Sequence, residues 1–271
     1  MPPLQADLYD DARAKLETGR KGAFLKMLHH IRTVSVHPDL TSEAEDRAFI
    51  ALSARLRAAF RILEEIRARD ERALVFIEHR QMQYRFIELA KAAFGLRNVD
   101  LINGETPIRQ RQAIVNRFQK HLESDGGFDL LVLGPRAAGT GLTLTAATHV
   151  IHLSRWWNPA VEEQCNDRVH RIGQTAPVHV HVPMAIHPDY RDQSFDCLLH
   201  SLMQRKRRLA GSALWPMGDT KEDAAFLADR LGADAGRADR GDPVEDAIAG
   251  MFRRDGVPPP PRGADGGYLF E

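Results

Sequence analysis

Three polar side chains suited to phosphate chemistry recur at helical spacing in the middle of the chain. Gln164, Arg168 and Arg171 are separated by four and three residues, so on an α-helix one carboxamide and two guanidinium groups share a face. A guanidinium is planar and permanently charged, and it stabilises the charge that develops during phosphoryl transfer. The spacing predicts a phosphate-facing surface, with a pairing of Asp167 and Arg171 inside the helix as the alternative.

A glycine-rich segment, GPRAAGTG, precedes these residues and suits the same ligand. Gly139 and Gly141 allow backbone amides to approach a phosphate, and Thr140 and Thr143 add hydroxyl donors. The segment therefore predicts a second part of a phosphate site. A tight turn between a strand and a helix, without any ligand, is the alternative.

The elements that must position these residues follow an α/β pattern. Short apolar runs alternate with amphipathic helical segments, which predicts an open, mainly parallel sheet of five to six strands with helices on both faces. The predicted strands are 73–78, 98–103, 128–134, 148–153 and 177–184. Right-handed crossovers would place the ligand loops at the carboxyl ends of these strands.

Two helix starts can be predicted from capping residues. Asn158 is a good N-cap, Pro159 suits the first helical position, and Gly173 suits a helix end, which predicts one helix over 159–172 that carries both arginines. Thr106 and Pro107 predict a second start of the same kind.

The domain boundaries follow changes in composition. We expect an N-terminal helical extension over residues 1–70, an α/β lobe over 71–210, and a C-terminal extension over 211–271 that is partly flexible and contains VPPPPRGADGG.

Composition restricts the class of protein. Lysine plus arginine equals aspartate plus glutamate at 37 each, so nucleic-acid binding would depend on local patches. No apolar run reaches the length of a membrane span and the start is not of the secretory kind. We therefore expect a cytoplasmic protein, associated with the nucleoid if it is prokaryotic.

Two further sets of residues have competing interpretations. His179 and His181 share a strand face and could bind a metal, but no third ligand is evident, so ordinary strand histidines and no metal site are predicted. Trp156 and Trp157 could stack on bases, although packing before the helix cap is favoured.

The string WWNPAVEEQCNDRVHRIGQ, residues 156–174, resembles the terminal helicase motif of the Swi/Snf family of superfamily-two ATPases. The upstream strings ALVFIEHRQMQ, LINGETPIRQRQAIVNRFQ and AAGTGLTLTAATHVIHLSRWWNP are similar to earlier motifs of the same lobe, and the resemblance covers residues 24 to 210 approximately. It implies the second, C-terminal RecA-like lobe of a translocase.

The resemblance also implies roles for the residues singled out above. Arg171 is the expected arginine finger, with Arg168 beside it and Gln164 as a supporting contact, facing ATP and Mg²⁺ held mainly by a separate N-terminal lobe. Gly139 and Gly141 would join the two arginines around the nucleotide. The expected contacts to double-stranded DNA are Arg136, Thr140, Thr143 and Asn158.

One departure from a complete motor is visible in the sequence. Nothing in the 271 residues fits the phosphate loop G-x-x-x-x-G-K-[ST], because the nearest string, GPRAAGT, has Thr140 where the lysine is required. No acidic motif for Mg²⁺ follows an apolar strand either. We expect this chain alone not to hydrolyse ATP.

The sequence thus predicts the C-terminal motor lobe of an ATP-dependent double-stranded DNA translocase. The alternative is a non-catalytic module that retains the lobe fold and binds nucleic acid or protein. The lobe of an RNA helicase shares the fold but fits the DRVHRIGQ string less well.

Overall fold

The structure is a computed structural model that describes residues 1–18, 24–120, 127–135, 141–210, 226–227, 230–231 and 243–255. The chain divides into two compact units. One comprises residues 1–38, 52–54 and 184–271, and the other residues 39–51 and 55–183.

The second unit contains the predicted α/β sheet. Its strands are β1 (Arg72–Phe76), β2 (Asp100–Ile102), β3 (Asp129–Leu133), β4 (His149–His152) and β5 (His179–His181). Its helices are α3 (Asp46–Ala51), α4 (Ala54–Ala68, of which Ala54 belongs to the first unit), α5 (Arg80–Phe94), α6 (Ile108–Gln119) and α7 (Pro159–Asn166).

All five strands are parallel and lie in the order β2-β3-β1-β4-β5. The central strand β1 is buried at every position, as expected of a parallel strand covered on both faces. In the register, Leu74 of β1 lies between Leu131 of β3 and Val150 of β4. The predicted fold class is confirmed.

The core of this unit is formed by the apolar runs identified in the sequence. Met82, Phe86, Leu89 and Ala90 of α5 are buried as predicted, but Ala93 is exposed and Phe94 is buried in its place. In α6 the buried residues are Val115 and Phe118, with Ile114 partly buried, and the predicted Leu122 lies outside the described residues.

Helix α6 begins one residue later than predicted. Pro107 occupies the N-cap position and Ile108 is the first helical residue. The Thr106 hydroxyl accepts a hydrogen bond from the Asn103 amide, 3.0 Å away, so it closes the preceding turn instead of capping the helix.

The first unit is helical in the part that the structure describes. It contains α1 (Pro3–Thr18), α2 (Phe24–Val36), a 3₁₀ turn (Arg191–Gln193), α8 (Phe195–Ala210) and α9 (Pro243–Asp255). Gln5 of α1 donates to the carbonyls of Val34 and Ser35, 2.9 and 3.3 Å away. Ala247 and Met251 of α9 pack against Ile186 and Cys197.

Among the described residues, no helix combines the length and the apolar character needed to cross a bilayer.

Candidate phosphate-facing site

Helix α7 begins as the capping residues predict. Asn158 has an extended backbone and its Oδ1 accepts from the Ala160 amide at 2.9 Å, with Pro159 as the first helical residue. This satisfies one of the amides that a helix start leaves without a partner.

The helix ends at Asn166, so the prediction of a single helix to residue 172 was wrong. In a continued helix the Arg168 carbonyl would accept from residue 172, but it accepts from the Leu144 amide at 2.8 Å instead. Residues 167–174, here called the arginine turn, form short turns that end near Gly173, whose φ of +102° favours glycine. Tertiary contact thus overrides the helical pattern.

The early helix end separates the three predicted side chains. Gln164 lies exposed on α7, whereas both arginines lie on the arginine turn. Within the described residues the Gln164 side chain forms no hydrogen bond to either arginine. The prediction that all three share one helical face was wrong, although the two arginines remain neighbours.

Arg168 is buried, and the residues described compensate its charge only in part. Its exposed fraction is 5%, and its Nε and Nη1 atoms have no hydrogen-bond partner among the described residues. Burial lowers the pKa of this guanidinium and the neighbouring Arg171 cation lowers it further, whereas the nearby Asp167 carboxylate offsets part of the shift. A buried donor without a partner has lost its hydration with nothing gained in return, so the position favours an anion supplied from outside.

Arg171 is partly buried and is held by neutral acceptors. Its Nε donates to the Asp167 carbonyl at 2.9 Å, and its Nη1 donates to the Thr143 hydroxyl at 3.1 Å and the Gly141 carbonyl at 3.3 Å. In the described residues the contact to Asp167 is therefore made by its main chain and not by its carboxylate. In the described residues Arg171 forms no salt bridge, so a ligand can pair with its guanidinium.

These contacts bring the arginine turn against the end of the glycine-rich segment. Gly141 has a φ of +66°, in the left-handed region that favours glycine. In the sequence, Gly141 and Thr143 lie between β3 and β4. The predicted Arg136, Gly139 and Thr140 lie outside the described residues.

A buried ion pair at the other end of α7 was missed in the sequence. The Arg155 Nε and Nη2 atoms lie 3.0 Å from Glu162 Oε1 and Oε2, a two-pronged pairing, and the two residues are 2% and 3% exposed. The partners are seven residues apart across a loop and a helix, which no periodic pattern reveals. The pair fixes the loop that carries Trp156 and Trp157 to α7.

Two glutamine side chains, which the sequence analysis also missed, form hydrogen bonds with the segment that enters β4. Gln174 Nε2 donates to the carbonyls of Thr145 and Ala147 at 3.1 and 2.9 Å. Gln119, at the end of α6, donates to the Thr145 hydroxyl at 3.0 Å and accepts from the Ala146 amide at 2.9 Å.

The histidine pair on β5 has a third histidine beside it, which the sequence pattern did not reveal. His149 Nδ1 lies 2.9 Å from His181 Nε2, its Nε2 lies 2.7 Å from Glu71 Oε2, and its ring stacks on His179. Both ring nitrogens of His149 are thus occupied by hydrogen bonds. Within the described residues, no group of three or more His, Cys, Asp or Glu side chains has the arrangement of a metal site.

Comparison with known proteins identifies the lobe. Residues 54–173 match the family model described as the helicase conserved C-terminal domain. Over 213 residues, 78% of this chain, the sequence is 34% identical to the putative ATP-dependent helicase/translocase YwqA of Bacillus subtilis (strain 168). The matched region spans only 22% of that protein's length.

Solved structures agree on the fold. The SWI2/SNF2 ATPase core domain of Sulfolobus solfataricus matches with a TM-score of 0.66 at 24% identity, covering 87% of this chain and 48% of that one. The same core in complex with dsDNA matches with a TM-score of 0.60 at 23% identity, covering 86% and 46%.

Proposed function

The chain belongs to the Swi/Snf-type helicases and translocases and carries their C-terminal helicase lobe, and from this premise we propose that Arg168 and Arg171 complete an ATP site shared with an N-terminal lobe. The relative YwqA is described as a putative ATP-dependent helicase/translocase, which supports ATP as the ligand. In this proposal Mg²⁺ accompanies the nucleotide on the N-terminal lobe.

One observation carries the proposal. Arg168 is 5% exposed, and its Nε and Nη1 have no hydrogen-bond partner among the described residues. Arg171 stands beside it without a carboxylate partner in the described part of the chain, bound by a hydroxyl and two carbonyls. Two neighbouring cations, neither of which forms a salt bridge in the described residues, fit a polyphosphate, because its oxygens would satisfy the open donors and relieve the repulsion between the guanidinium groups.

The two arginines have different roles in this proposal. Arg168 is fixed by burial and binds a phosphate oxygen, while Arg171, on the more exposed side of the turn, stabilises the charge of the phosphoryl group in transfer. Gly139 and Gly141 contribute to the nucleotide contacts, and Gln164 serves as a supporting contact when the lobes close. An arginine finger of this kind accelerates phosphoryl transfer by about 10³-fold or more.

Double-stranded DNA is the proposed track. A structure of similar fold was solved in complex with dsDNA, and the equal numbers of acidic and basic residues leave DNA binding to local contacts. The contacts proposed are Arg136, Thr140, Thr143 and Asn158. Thr143 would then touch DNA while accepting from Arg171, which links the DNA contact to the nucleotide contact through one side chain.

The test restores a complete ATP site and then replaces the proposed arginine finger, Arg171. The chain is combined with an N-terminal lobe of the same family that carries the phosphate-loop lysine, and ATP hydrolysis is measured with and without double-stranded DNA. We expect Arg171→Ala to lower the DNA-stimulated rate by about 10³-fold, and Arg97→Ala, an exposed arginine that follows α5, to leave it unchanged.

Two results would contradict the proposal. A restored rate that is indifferent to Arg171→Ala removes the catalytic assignment. Salt-dependent DNA binding by the chain without any restored hydrolysis favours the non-catalytic binding module instead.

A further inference from the structure

The turn that leads into β4 is held from two sides by side-chain carboxamides. Residues 144–147 form a turn closed by the Ala147 amide and the Leu144 carbonyl, 3.1 Å apart. Gln119 binds the hydroxyl and amide of the two central residues, and Gln174 binds the carbonyls of Thr145 and Ala147. Here these two glutamines are called the glutamine clamp.

This segment and the residues just before it form the contacts that place both arginines. The Leu144 amide donates to the Arg168 carbonyl at 2.8 Å, and Thr143 and Gly141 accept from Arg171. Gln174 itself lies on the arginine turn, and its amide donates to the Arg171 carbonyl at 2.9 Å. A displacement of residues 144–147 therefore moves the anchor of Arg168 directly, and moves the Arg171 acceptors Gly141 and Thr143 through the adjoining chain.

We infer that Gln119 and Gln174 are positioning residues, which hold the arginine turn in register for its phosphate ligand by fixing residues 144–147. This inference rests on the proposed function. Because Gln119 is the last residue of α6, the clamp also ties the arginine turn to that helix. A change in the position of α6 is thereby transmitted to the phosphate-binding guanidinium groups.

The hydrogen-bond roles of the two glutamines predict opposite responses to the same substitution. In Gln119→Glu, a carboxylate still accepts from the Ala146 amide, and the Thr145 hydroxyl can turn to donate to it. In Gln174→Glu, a carboxylate replaces a donor that faces two carbonyl oxygens, so both bonds are lost and repulsion is added. The two variants carry the same added charge.

Amide hydrogen exchange tests whether the glutamine clamp stabilises residues 144–147, and it needs no ligand. In Gln174→Glu and Gln174→Ala we expect exchange at the Leu144 amide to accelerate by about tenfold or more, because local opening becomes easier. Gln119→Ala and Thr145→Val should each accelerate it as well, and their double variant should not add the two effects. Gln119→Glu should exchange nearly as the wild type does.

Pyrophosphate binding separates positioning from a structural role. The probe is inorganic pyrophosphate titrated into the full chain by calorimetry, with urea unfolding recorded for every variant. We expect Gln174→Ala and Gln119→Ala to weaken pyrophosphate binding by about fivefold. Gln119→Glu should bind pyrophosphate with the same affinity as the control Gln112→Glu, which adds the same charge at an exposed site on α6.

Each outcome decides a different statement. Unchanged exchange at Leu144 in the clamp variants overturns the clamp, whatever the ligand does. Accelerated exchange with unchanged pyrophosphate affinity shows that the glutamines are structural only, which also overturns the inference. If Arg168→Ala and Arg171→Ala bind pyrophosphate as the wild type does, the proposed function fails, and the exchange data still decide whether the clamp exists.

Discussion

Two arginines of similar burial flank helix α7, and their surroundings differ in one respect. Arg155, before the helix, is 2% exposed and meets the Glu162 carboxylate through two hydrogen bonds of 3.0 Å. Arg168, after the helix, is 5% exposed, and no described residue forms a hydrogen bond with its Nε or Nη1. Burial alone therefore does not distinguish a structural arginine from a binding one, whereas the presence or absence of an internal anion does.

The largest expected effect comes from breaking the ion pair between Arg155 and Glu162. Glu162→Ala removes the carboxylate that pairs with the buried Arg155 cation, so we expect the free energy of unfolding to fall by about 3–5 kcal/mol. Urea denaturation measures it. The double variant Arg155→Met, Glu162→Leu, which removes both charges, should recover most of the loss, and a loss below about 1 kcal/mol for Glu162→Ala would show that the pair contributes little.

Replacing Arg168 should change the free energy of unfolding in the opposite direction. Arg168→Met removes a buried cation that forms no salt bridge in the described residues and is repelled by Arg171, so we expect the free energy of unfolding to rise by about 1–2 kcal/mol. Pyrophosphate binding should be lost in the same variant. A destabilisation comparable to that of Glu162→Ala would mean that Arg168 is a structural residue like Arg155.

The histidine cluster sharpens the comparison because its partners are also internal. Burial lowers the pKa of His149, and burial followed by repulsion from His149 lowers that of His181 to about 4. The unfolded chain, with histidine pKa values of about 6.5, binds more protons as the pH falls, so stability should decrease between about pH 6.5 and pH 4.

The check is urea unfolding of the wild type and His181→Gln across that pH window. We expect the variant to lose stability less steeply, by an amount on the order of 1 kcal/mol because the ring is partly exposed. Parallel pH profiles for the two proteins would contradict the assignment. Pyrophosphate should not alter either profile beyond its general stabilisation of the fold.

The sequence predicted the elements but not all of their ends. The strands, the cap at Asn158 and most of the buried stripes of α5 and α6 follow from local periodicity and capping chemistry. The end of α7 does not, because the Arg168 carbonyl is taken by Leu144, a residue 24 positions earlier that no local pattern places there.

The candidate site was predicted in its residue types more than in its geometry. The arginines and the glycine-rich segment were recognised from their chemistry, and the structure brings Arg171, Gly141 and Thr143 together. Glu162, Gln119 and His149 were missed because each finds its partner through the fold, across 7 to 32 positions of sequence. Side chains that only hold a site in place have no spacing of their own to reveal them.

The most direct measurement compares the two flanking arginines within one sample. The side-chain Nε–H signals of Arg155 and Arg168 are assigned by NMR in the full chain, and inorganic pyrophosphate is added. The account predicts that the Arg168 signal shifts with saturation while the Arg155 signal, already bonded to Glu162, stays in place. Equal responses of both signals, or no response at Arg168, would contradict the claim that the buried cation after α7 is reserved for a phosphate.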